Sequence, residues 1–164
     1  MTTVSAEVDV TIRAPAQRCF EAFADVTSYP RWEPSARAVS ILETYEPGRD
    51  FRVEFCYARR ILFLTYSMTY SLRCTLFEHE GRYWIKFSEP MGDLFDIMTI
   101  IEFSDDPSED TCLMTYRSNV NEPAVVRRTL LSFFGPREIK AHLFRFKHFV
   151  EAECSVVQHD LKVG

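Results

Sequence analysis

Several signatures of catalysis are absent from this chain of 164 residues. No Gly-x-Gly-x-x-Gly or Gly-x-x-x-x-Gly-Lys-Ser/Thr stretch occurs, and four of the five glycines stand at predicted element boundaries, so we expect no phosphate-binding loop. Neither His-Glu-x-x-His nor Cys-x-x-Cys occurs, and the five cysteines are far apart in sequence. His142 and His148 are six residues apart on a predicted helix and face different directions. We therefore expect no metal, no cofactor and no disulfide framework.

An excess of positive charge and long apolar runs are also missing. The 19 Lys and Arg residues against 24 Asp and Glu give a net charge of −5, which disfavours nucleic acid as a partner. The longest apolar stretch, Ile61 to Leu72, is too short to span a bilayer. The first residues have neither the basic nor the apolar segment of a secretory signal. We expect a reducing, cytoplasmic location.

The composition that remains is globular. Hydrophobic residues make up 46% of the chain, with 14 Phe and 7 Tyr, and the length suits one domain over residues 1–164.

Apolar and polar residues alternate with a period of two over much of the chain, which predicts strands. The predicted strands are Val4–Ile12, Val39–Glu43, Phe51–Tyr57, Leu62–Phe77, Arg82–Glu89, Leu94–Phe103 and Thr111–Val120. The fourth is the most regular, with its even positions apolar, so one face packs on a core and the other faces water. Turns are predicted at Glu46–Gly48 and Pro90–Gly92, and no proline falls inside a predicted strand.

Helices are predicted between the first two strands and at the end of the chain. Pro15 precedes a helix that runs to Asp25, and Ser28–Pro34 allows a short helix or a tight turn. Glu122–Phe134 is typical of a helix that Gly135 ends. Pro136 begins another helix with an apolar stripe at three- and four-residue steps, formed by Ile139, Leu143, Phe146, Val150, Cys154 and Val157. Successive strands with segregated helices indicate the α+β class.

The stretch from Ile12 to Pro34 carries a family resemblance. It consists of a strand, Ala-Pro, a helix ending in Ala-Asp-Val, and a Tyr-Pro-Arg-Trp turn. This pattern resembles the opening of the START/Bet v 1-like superfamily, in particular its polyketide cyclase/dehydrase and coenzyme Q-binding branches, and the likeness continues over roughly residues 4–155. Ile101 stands where many relatives carry Trp, which leaves the branch open.

The resemblance implies a helix-grip fold. In this fold a seven-stranded curved antiparallel sheet wraps a long C-terminal helix, with two short helices after the first strand and a tunnel between sheet and helix. Members bind lipids, isoprenoid quinones, plant hormones or polyketide intermediates, and some catalyse cyclisation.

Aromatic and polar residues on the predicted inner face are the candidates for ligand contact. Tyrosine offers bulk and a hydroxyl that can orient a ligand, although these hydroxyls could equally meet backbone or water in a core. We expect ligand contacts from Trp32, Phe55, Tyr57, Tyr66, Met68, Tyr70, Phe87, Thr99, Leu143 and Phe146. Trp32 could instead be a packing anchor for the short helix.

Three titratable residues are weak candidates for catalysis, namely Tyr66, Tyr70 and His142. His142 could move a proton at the edge of the cavity, or it could have a hydrogen-bonded structural role. Asp96 interrupts an apolar strand and shares a face with Met98 and Glu102, which we take as the outer face. With the opposite parity it would be a buried carboxylate and a candidate acid or base.

Two functions follow as expectations. The first is binding of an apolar small molecule, such as a lipid, an isoprenoid quinone or a polyketide-like aromatic. The alternative is a cyclase, aromatase or dehydratase that acts by folding a reactive chain in the same cavity. Whether the protein is an enzyme stays open.

Surface contacts are a further possibility. The basic residues Arg127, Arg128, Arg137 and Lys140 could touch a membrane surface or an acidic partner, or could form a solvated helix face. Exposed apolar residues around Phe133 and Phe134 could support a homodimer.

Overall fold

The computed structural model describes residues 2–61, 63–91, 95–107, 110–122 and 135–160. Its strands are β1 (Thr2–Ile12), β2 (Ala36–Glu46), β3 (Asp50–Ile61), β4 (Leu64–His79), β5 (Arg82–Met91), β6 (Phe95–Asp106) and β7 (Thr111–Glu122). Its α-helices are α1 (Ala16–Ala24), α2 (Tyr29–Trp32) and α3 (Pro136–Asp160). A single 3-10 turn, Val26–Ser28, leads into α2.

The seven strands form one antiparallel sheet in the order β1-β7-β6-β5-β4-β3-β2. Strands β2 to β7 are a meander in which sequence neighbours pair, and β1 joins at the free edge of β7. The sheet curves around α3, whose Leu143, Phe146 and Val150 are buried. The predicted α+β helix-grip architecture is thereby confirmed, with short helices after the first strand and a long helix at the end.

Alternation along the strands determines which side chains face α3. Phe55 of β3, Leu72 of β4 and Phe87 of β5 are all buried on the concave face. On β6, Ile101 is buried and Met98 is 43% exposed, so the predicted parity of this strand is confirmed. The side chain of Asp96, for which that parity mattered, lies outside the described residues.

A side-chain cap fixes the start of α1. The Ala16 backbone N–H donates to Asp105 Oδ1 over 2.7 Å, and Asp105 belongs to the end of β6. Because the first N–H groups of a helix have no partner within it, this contact satisfies one of them and ties α1 to the sheet. Cys19 and Phe23 on the next turns are buried against the sheet.

Several predicted boundaries are wrong. Pro90 and Met91 belong to β5 rather than to a turn. Strand β5 pairs with β4 only as far as Ser88, so at Pro90 it has a neighbouring strand on one side alone, where a proline is tolerated. Strand β2 is longer than predicted, because irregular register against β3 interrupts its alternation and most of it is exposed.

Two other boundaries change at the ends of strands. Strand β3 runs on to Ile61 and pairs there with Leu64, so the longest strand begins at Leu64, and Leu62 lies outside the described residues. Glu122 is the last residue of β7 rather than the start of a helix. The rest of the helix predicted there, residues 123–134, lies outside the described residues.

None of the helices in the described part of the chain combines the length and apolar character needed to cross a membrane.

Candidate ligand cavity

A cavity of about 260 Å³ lies between the concave face of the sheet and the first turns of α3. Its walls are mainly apolar and come from nearly every element of the fold. The apolar lining residues are Phe23, Pro34, Phe55, Leu72, Phe87, Ile97, Ile101, Val120 and Ile139. The polar groups described below are set into these walls.

A buried carboxylate joins α2 to α3 at the edge of the cavity. Glu33, which follows α2 directly, is 1% exposed. Its Oε2 accepts hydrogen bonds from Arg145 Nη2 at 2.6 Å and Nε at 3.0 Å, and lies 2.7 Å from His142 Nδ1. Its Oε1 accepts from the backbone N–H and the hydroxyl of Ser35 at 3.1 and 2.5 Å. The charge is therefore fully surrounded by donors.

These donors determine the ionisation of Glu33. Burial alone would raise its pKa, but the hydrogen bonds and charges of His142 and Arg145, together with Ser35, lower the pKa well below its usual range. Glu33 is therefore ionised at every physiological pH and acts as the fixed negative partner of α3.

Three tyrosine hydroxyls of the sheet project into the cavity. The rings of Tyr57 and Tyr70 are stacked with centroids 5.8 Å apart, and their hydroxyls are hydrogen-bonded to each other. Tyr116 bonds to Ser118 and Thr99, whose own hydroxyls are 2.9 Å apart. Burial raises the pKa of Tyr57, Tyr70 and Tyr116, so these hydroxyls remain protonated.

Tyr29 of α2 also lines the cavity. The side chain is 3% exposed, and its ring packs against Trp32 at 4.6 Å and Phe55 at 5.6 Å between centroids. The hydroxyl is buried and has no hydrogen-bond partner. Burial raises the pKa of Tyr29 well above its usual value, and the nearby Tyr57 raises it further.

A comparison with known protein families agrees with this arrangement of sheet, helix and cavity. The model of the family described as polyketide cyclase/dehydrase and lipid transport matches residues 2–151. The chain belongs to this family. No curated protein is significantly similar to it in sequence.

Solved structures with the same fold include members of both classes in that description. The Zhui aromatase/cyclase of a Streptomyces species has a TM-score of 0.72 at 18% identity, over 92% of this chain and 94% of the other. A STAR-related lipid transfer protein of Xanthomonas axonopodis has a TM-score of 0.63 at 12% identity, over 88% and 84%. A START superfamily protein of Mycobacterium smegmatis has a TM-score of 0.59 at 18% identity, over 94% and 98%. At these identities the likeness establishes the fold.

The residues predicted from the sequence take different places around the cavity of this polyketide cyclase/dehydrase family member. Its lining includes Phe55, Tyr57, Tyr70, Phe87, Thr99 and His142. Trp32, Leu143 and Phe146 are buried in the core behind the lining, where the Trp32 and Phe146 rings are 5.3 Å apart. Met68 is partly buried against the same core. The side chain of Tyr66 lies outside the described residues.

Seven polar residues of the cavity were not predicted, namely Tyr29, Glu33, Ser35, Tyr116, Ser118, Glu138 and Arg145. Glu33 meets its partners more than 100 positions further along the chain, which no local pattern reveals. One signal was present: His142 and Arg145 are three residues apart, so they lie on neighbouring turns of one helix face. Ser118 follows Tyr116 at the two-residue spacing of a single strand face.

The cavity offers hydrogen-bonding groups in a largely apolar space. Within the described ranges no cluster of three or more His, Cys, Asp or Glu side chains is arranged to hold a metal ion. Arg145 and His142 stand on the helix side, and the hydroxyls of Thr99, Ser118 and Tyr116 stand on the sheet side. This arrangement can bind and orient a ring system that carries a few oxygen atoms.

Proposed function

We propose that this protein binds a small, mostly apolar, ring-containing molecule in the cavity between sheet and α3. The observation that carries the proposal is a pre-formed apolar cavity with hydroxyls on its walls, which is the usual composition of a ligand site. The family description, which joins polyketide cyclases and dehydrases with lipid transport, supports the same class of ligand.

The volume of the cavity limits the size of the ligand. At the packing density of protein interiors, about 0.74, the cavity of about 260 Å³ holds roughly 190 Å³ of ligand, or about 14 non-hydrogen atoms of a fused aromatic system. Two or three fused rings satisfy this limit, whereas both acyl chains of a phospholipid exceed it. Burying roughly 300 Å² of such a ligand contributes about 7 kcal/mol, which would give a Kd of roughly 10 μM before association costs are subtracted, so we expect a Kd weaker than that.

The test combines extraction with a variant that fills the cavity. Mass spectrometry on organic extracts of the purified protein, compared with a mock purification, should reveal a stoichiometric aromatic compound. Val120→Trp should eliminate it, because Val120 lines the cavity. Met98→Trp is the matched control, since Met98 lies on the outer face of the sheet. Equal recovery from the two variants would contradict binding in this cavity.

A second candidate is an intramolecular cyclase, favoured by the polar groups on opposite walls. Arg145 on α3 can polarise a ketone oxygen, and His142 can accept the proton of an activated methylene. The methylene carbon then bonds to the ketone carbon, which closes the ring. The former ketone oxygen takes up the proton and leaves as water with a second hydrogen of the former methylene carbon, which gives a carbon–carbon double bond. Such a reaction depends mainly on the folded conformation of the chain.

A linear nine-carbon tetraketone is a suitable substrate for testing this second function. Formation of a phenolic ring, followed by its absorbance, should be faster with the native protein than with Val120→Trp. Equal rates would exclude this activity for a chain of that size, while leaving ligand binding to be decided by extraction.

Surface contacts are proposed separately from the cavity. Arg137 and Lys140 are exposed on the first turns of α3, whereas Arg127 and Arg128 lie outside the described residues. We propose contact with an anionic membrane surface, which Arg137→Glu with Lys140→Glu should abolish in vesicle co-sedimentation without changing ligand affinity. An unchanged vesicle affinity would refute it.

Location and assembly are also proposals. The five cysteines are free thiols, which supports a reducing, cytoplasmic location, to be tested by cell fractionation. Phe133 and Phe134, the residues predicted to support a homodimer, lie outside the described residues. Light scattering on a sizing column tests that dimer directly.

A further inference from the structure

Strands β3 and β4 extend beyond their neighbours in the sheet as a two-stranded arm. The pairing of β2 with β3 ends at Tyr57, and the pairing of β5 with β4 ends at Arg73. Residues 59–61 therefore pair with residues 64–66 alone, and neither segment has another neighbouring strand in the described part of the sheet. At about 3.3 Å per residue, these three residue pairs reach roughly 10 Å. We call these two segments, with Phe63 at their end, the β3–β4 arm.

The end of the β3–β4 arm exposes an apolar side chain. Phe63 is 82% exposed, the largest value for any large hydrophobic residue in the described ranges, and in the sequence it belongs to an unbroken apolar run from Ile61 to Leu64. The hairpin from β4 to β5 differs, since Glu80 and Gly81 there take the positive φ values, 49° and 74°, that a two-residue turn favours. Turns are ordinarily polar, so an apolar run at the end of an arm indicates a functional contact.

The β3–β4 arm is also a basic part of an acidic chain. Residues 55–77 contain Arg59, Arg60 and Arg73 and no Asp or Glu, whereas the whole chain has a net charge of −5. Arg73 pairs with Asp50 at the base of the hairpin, and Arg60 on the arm is exposed. An apolar end next to basic residues is the composition of elements that lie in the interfacial layer of an anionic bilayer, where the basic side chains meet lipid phosphates.

The β3–β4 arm begins beside the ligand cavity. Ala58, the residue before it, donates its backbone N–H to the carbonyl oxygen of Ser35 over 2.8 Å. Ser35 lines the cavity, and its hydroxyl donates to Glu33, which in turn accepts from Arg145 of α3. The arm and the first half of α3 therefore meet the same edge of the cavity.

The size of the β3–β4 arm favours a lipid surface over a second protein. A stable protein interface buries about 800 Å² on each partner. Three residue pairs on two strands about 4.8 Å apart present roughly 100 Å² on each face. Insertion of one aromatic side chain into a bilayer needs no larger area, because lipids cover the side chain on all sides.

We propose that the β3–β4 arm inserts Phe63 into the surface of an anionic bilayer, with Arg60 at the lipid phosphates. This inference rests on the membrane contact proposed for Arg137 and Lys140, and it identifies the element that enters the lipid. Interfacial elements enter to a depth of about 5–10 Å, which the length of the arm permits.

Co-sedimentation with vesicles of equimolar phosphatidylserine and phosphatidylcholine tests the inference. The variant is Phe63→Ser, and the matched control is Phe77→Ser at the other end of β4, where the side chain is 47% exposed. We expect Phe63→Ser to weaken vesicle affinity about tenfold, the lower limit for loss of a buried phenylalanine, and Phe77→Ser to leave it unchanged. Phe63→Ser should keep the Tm of the native protein, because the side chain is mostly exposed.

Tryptophan fluorescence measures insertion separately from affinity. In the same vesicles, phosphatidylcholine with brominated acyl chains quenches an indole that reaches the hydrocarbon. Phe63→Trp should be quenched, whereas Phe77→Trp should be quenched no more than the native protein, which contains Trp32 and Trp84.

The outcomes separate this inference from the membrane contact of α3. If the native protein and Phe63→Ser bind the vesicles equally, or if Phe63→Trp is not quenched, the inference is overturned, and the contact of α3 is decided by its own charge-reversal variant. If the native protein does not bind the vesicles, both are overturned. A native dimer that Phe63→Ser separates into monomers on a sizing column would assign the arm to a second copy and would also overturn the inference.

Discussion

Replacing Glu33 by alanine removes the acceptor that joins α2 to α3 beside the cavity. The carboxylate is almost fully buried, and its Oε2 alone is within hydrogen-bond distance of three nitrogen atoms of Arg145 and His142. Without it, two side chains of α3 lose their partner at the wall of the cavity. The variant should therefore be less stable and should hold α3 less firmly against α2.

The size of the loss follows from the burial of the groups that remain. Removing one partner of a buried ion pair costs about 3–5 kcal/mol, because the other charge is left without compensation. The side chains of Arg145 and His142 are 36% and 22% exposed, so both can regain part of their hydration by turning outward. We therefore expect the lower limit, about 3 kcal/mol, or a Tm decrease of about 6–12 °C for a chain of this size.

Urea denaturation of native protein and variant at several pH values measures this difference. The folded-state pKa of Glu33 lies well below its ordinary value of 4.5, so the unfolded chain takes up the proton first as the pH falls. The stability that ionised Glu33 contributes is complete above pH 4.5 and decreases below it. The difference between the two proteins should be constant at higher pH and should shrink in acid.

Glu153→Ala is the matched control for this experiment. Glu153 also lies on α3 and also pairs with two arginines, Arg18 and Arg31, but its side chain is 28% exposed and both arginines face solvent. Exposed pairs of this kind contribute about 0–1 kcal/mol. If Glu33→Ala and Glu153→Ala cost the same, the reasoning from burial is wrong.

Three further variants test the packing around the cavity. Phe23→Ala should cost about 3–5 kcal/mol in urea denaturation, because this buried ring contacts the rings of Tyr29, Trp32 and Phe146. Thr99→Val should cost about 1–3 kcal/mol, since it removes the hydrogen bond between the buried hydroxyls of Thr99 and Ser118, and an unchanged midpoint would contradict that bond. Asp105→Ala should cost about 1 kcal/mol and should increase amide exchange in the first turn of α1, which Asp105 caps.

The sheet could be predicted from the sequence because its pattern is local. Alternation alone places Phe55, Tyr70 and Phe87 on one face, and the register then sets Phe55 directly opposite Tyr70. The same pattern fails at β2, where bulges shift the register and both faces are largely exposed. It fails again at Pro90, since the sequence does not reveal that β5 has lost its partner on one side there.

The polar part of the cavity could not be predicted in the same way. Glu33 follows a four-residue helix too short to show a periodicity, and its partners lie on a helix at the other end of the chain. His142 was recognised as a candidate from its helix position, but its role depends on a carboxylate that only the folded chain brings within 2.7 Å. Local sequence patterns therefore cannot predict an ion pair between residues that are far apart in the chain.

The ionisation states in the cavity favour binding over proton transfer. A general acid or base works best when its pKa is near the ambient pH. Here the environment moves the pKa of Glu33 further below neutrality and the pKa of Tyr29, Tyr57 and Tyr70 further above it. These groups are therefore stable donors and acceptors that keep their protons, or their charge, when a ligand arrives. Two further titratable side chains of α3 line the described part of the cavity, Glu138 and His142, and Glu33 already occupies Nδ1 of His142. A cyclase activity would thus have to depend on Nε2 of His142, on Glu138 and Arg145, and on the shape of the cavity.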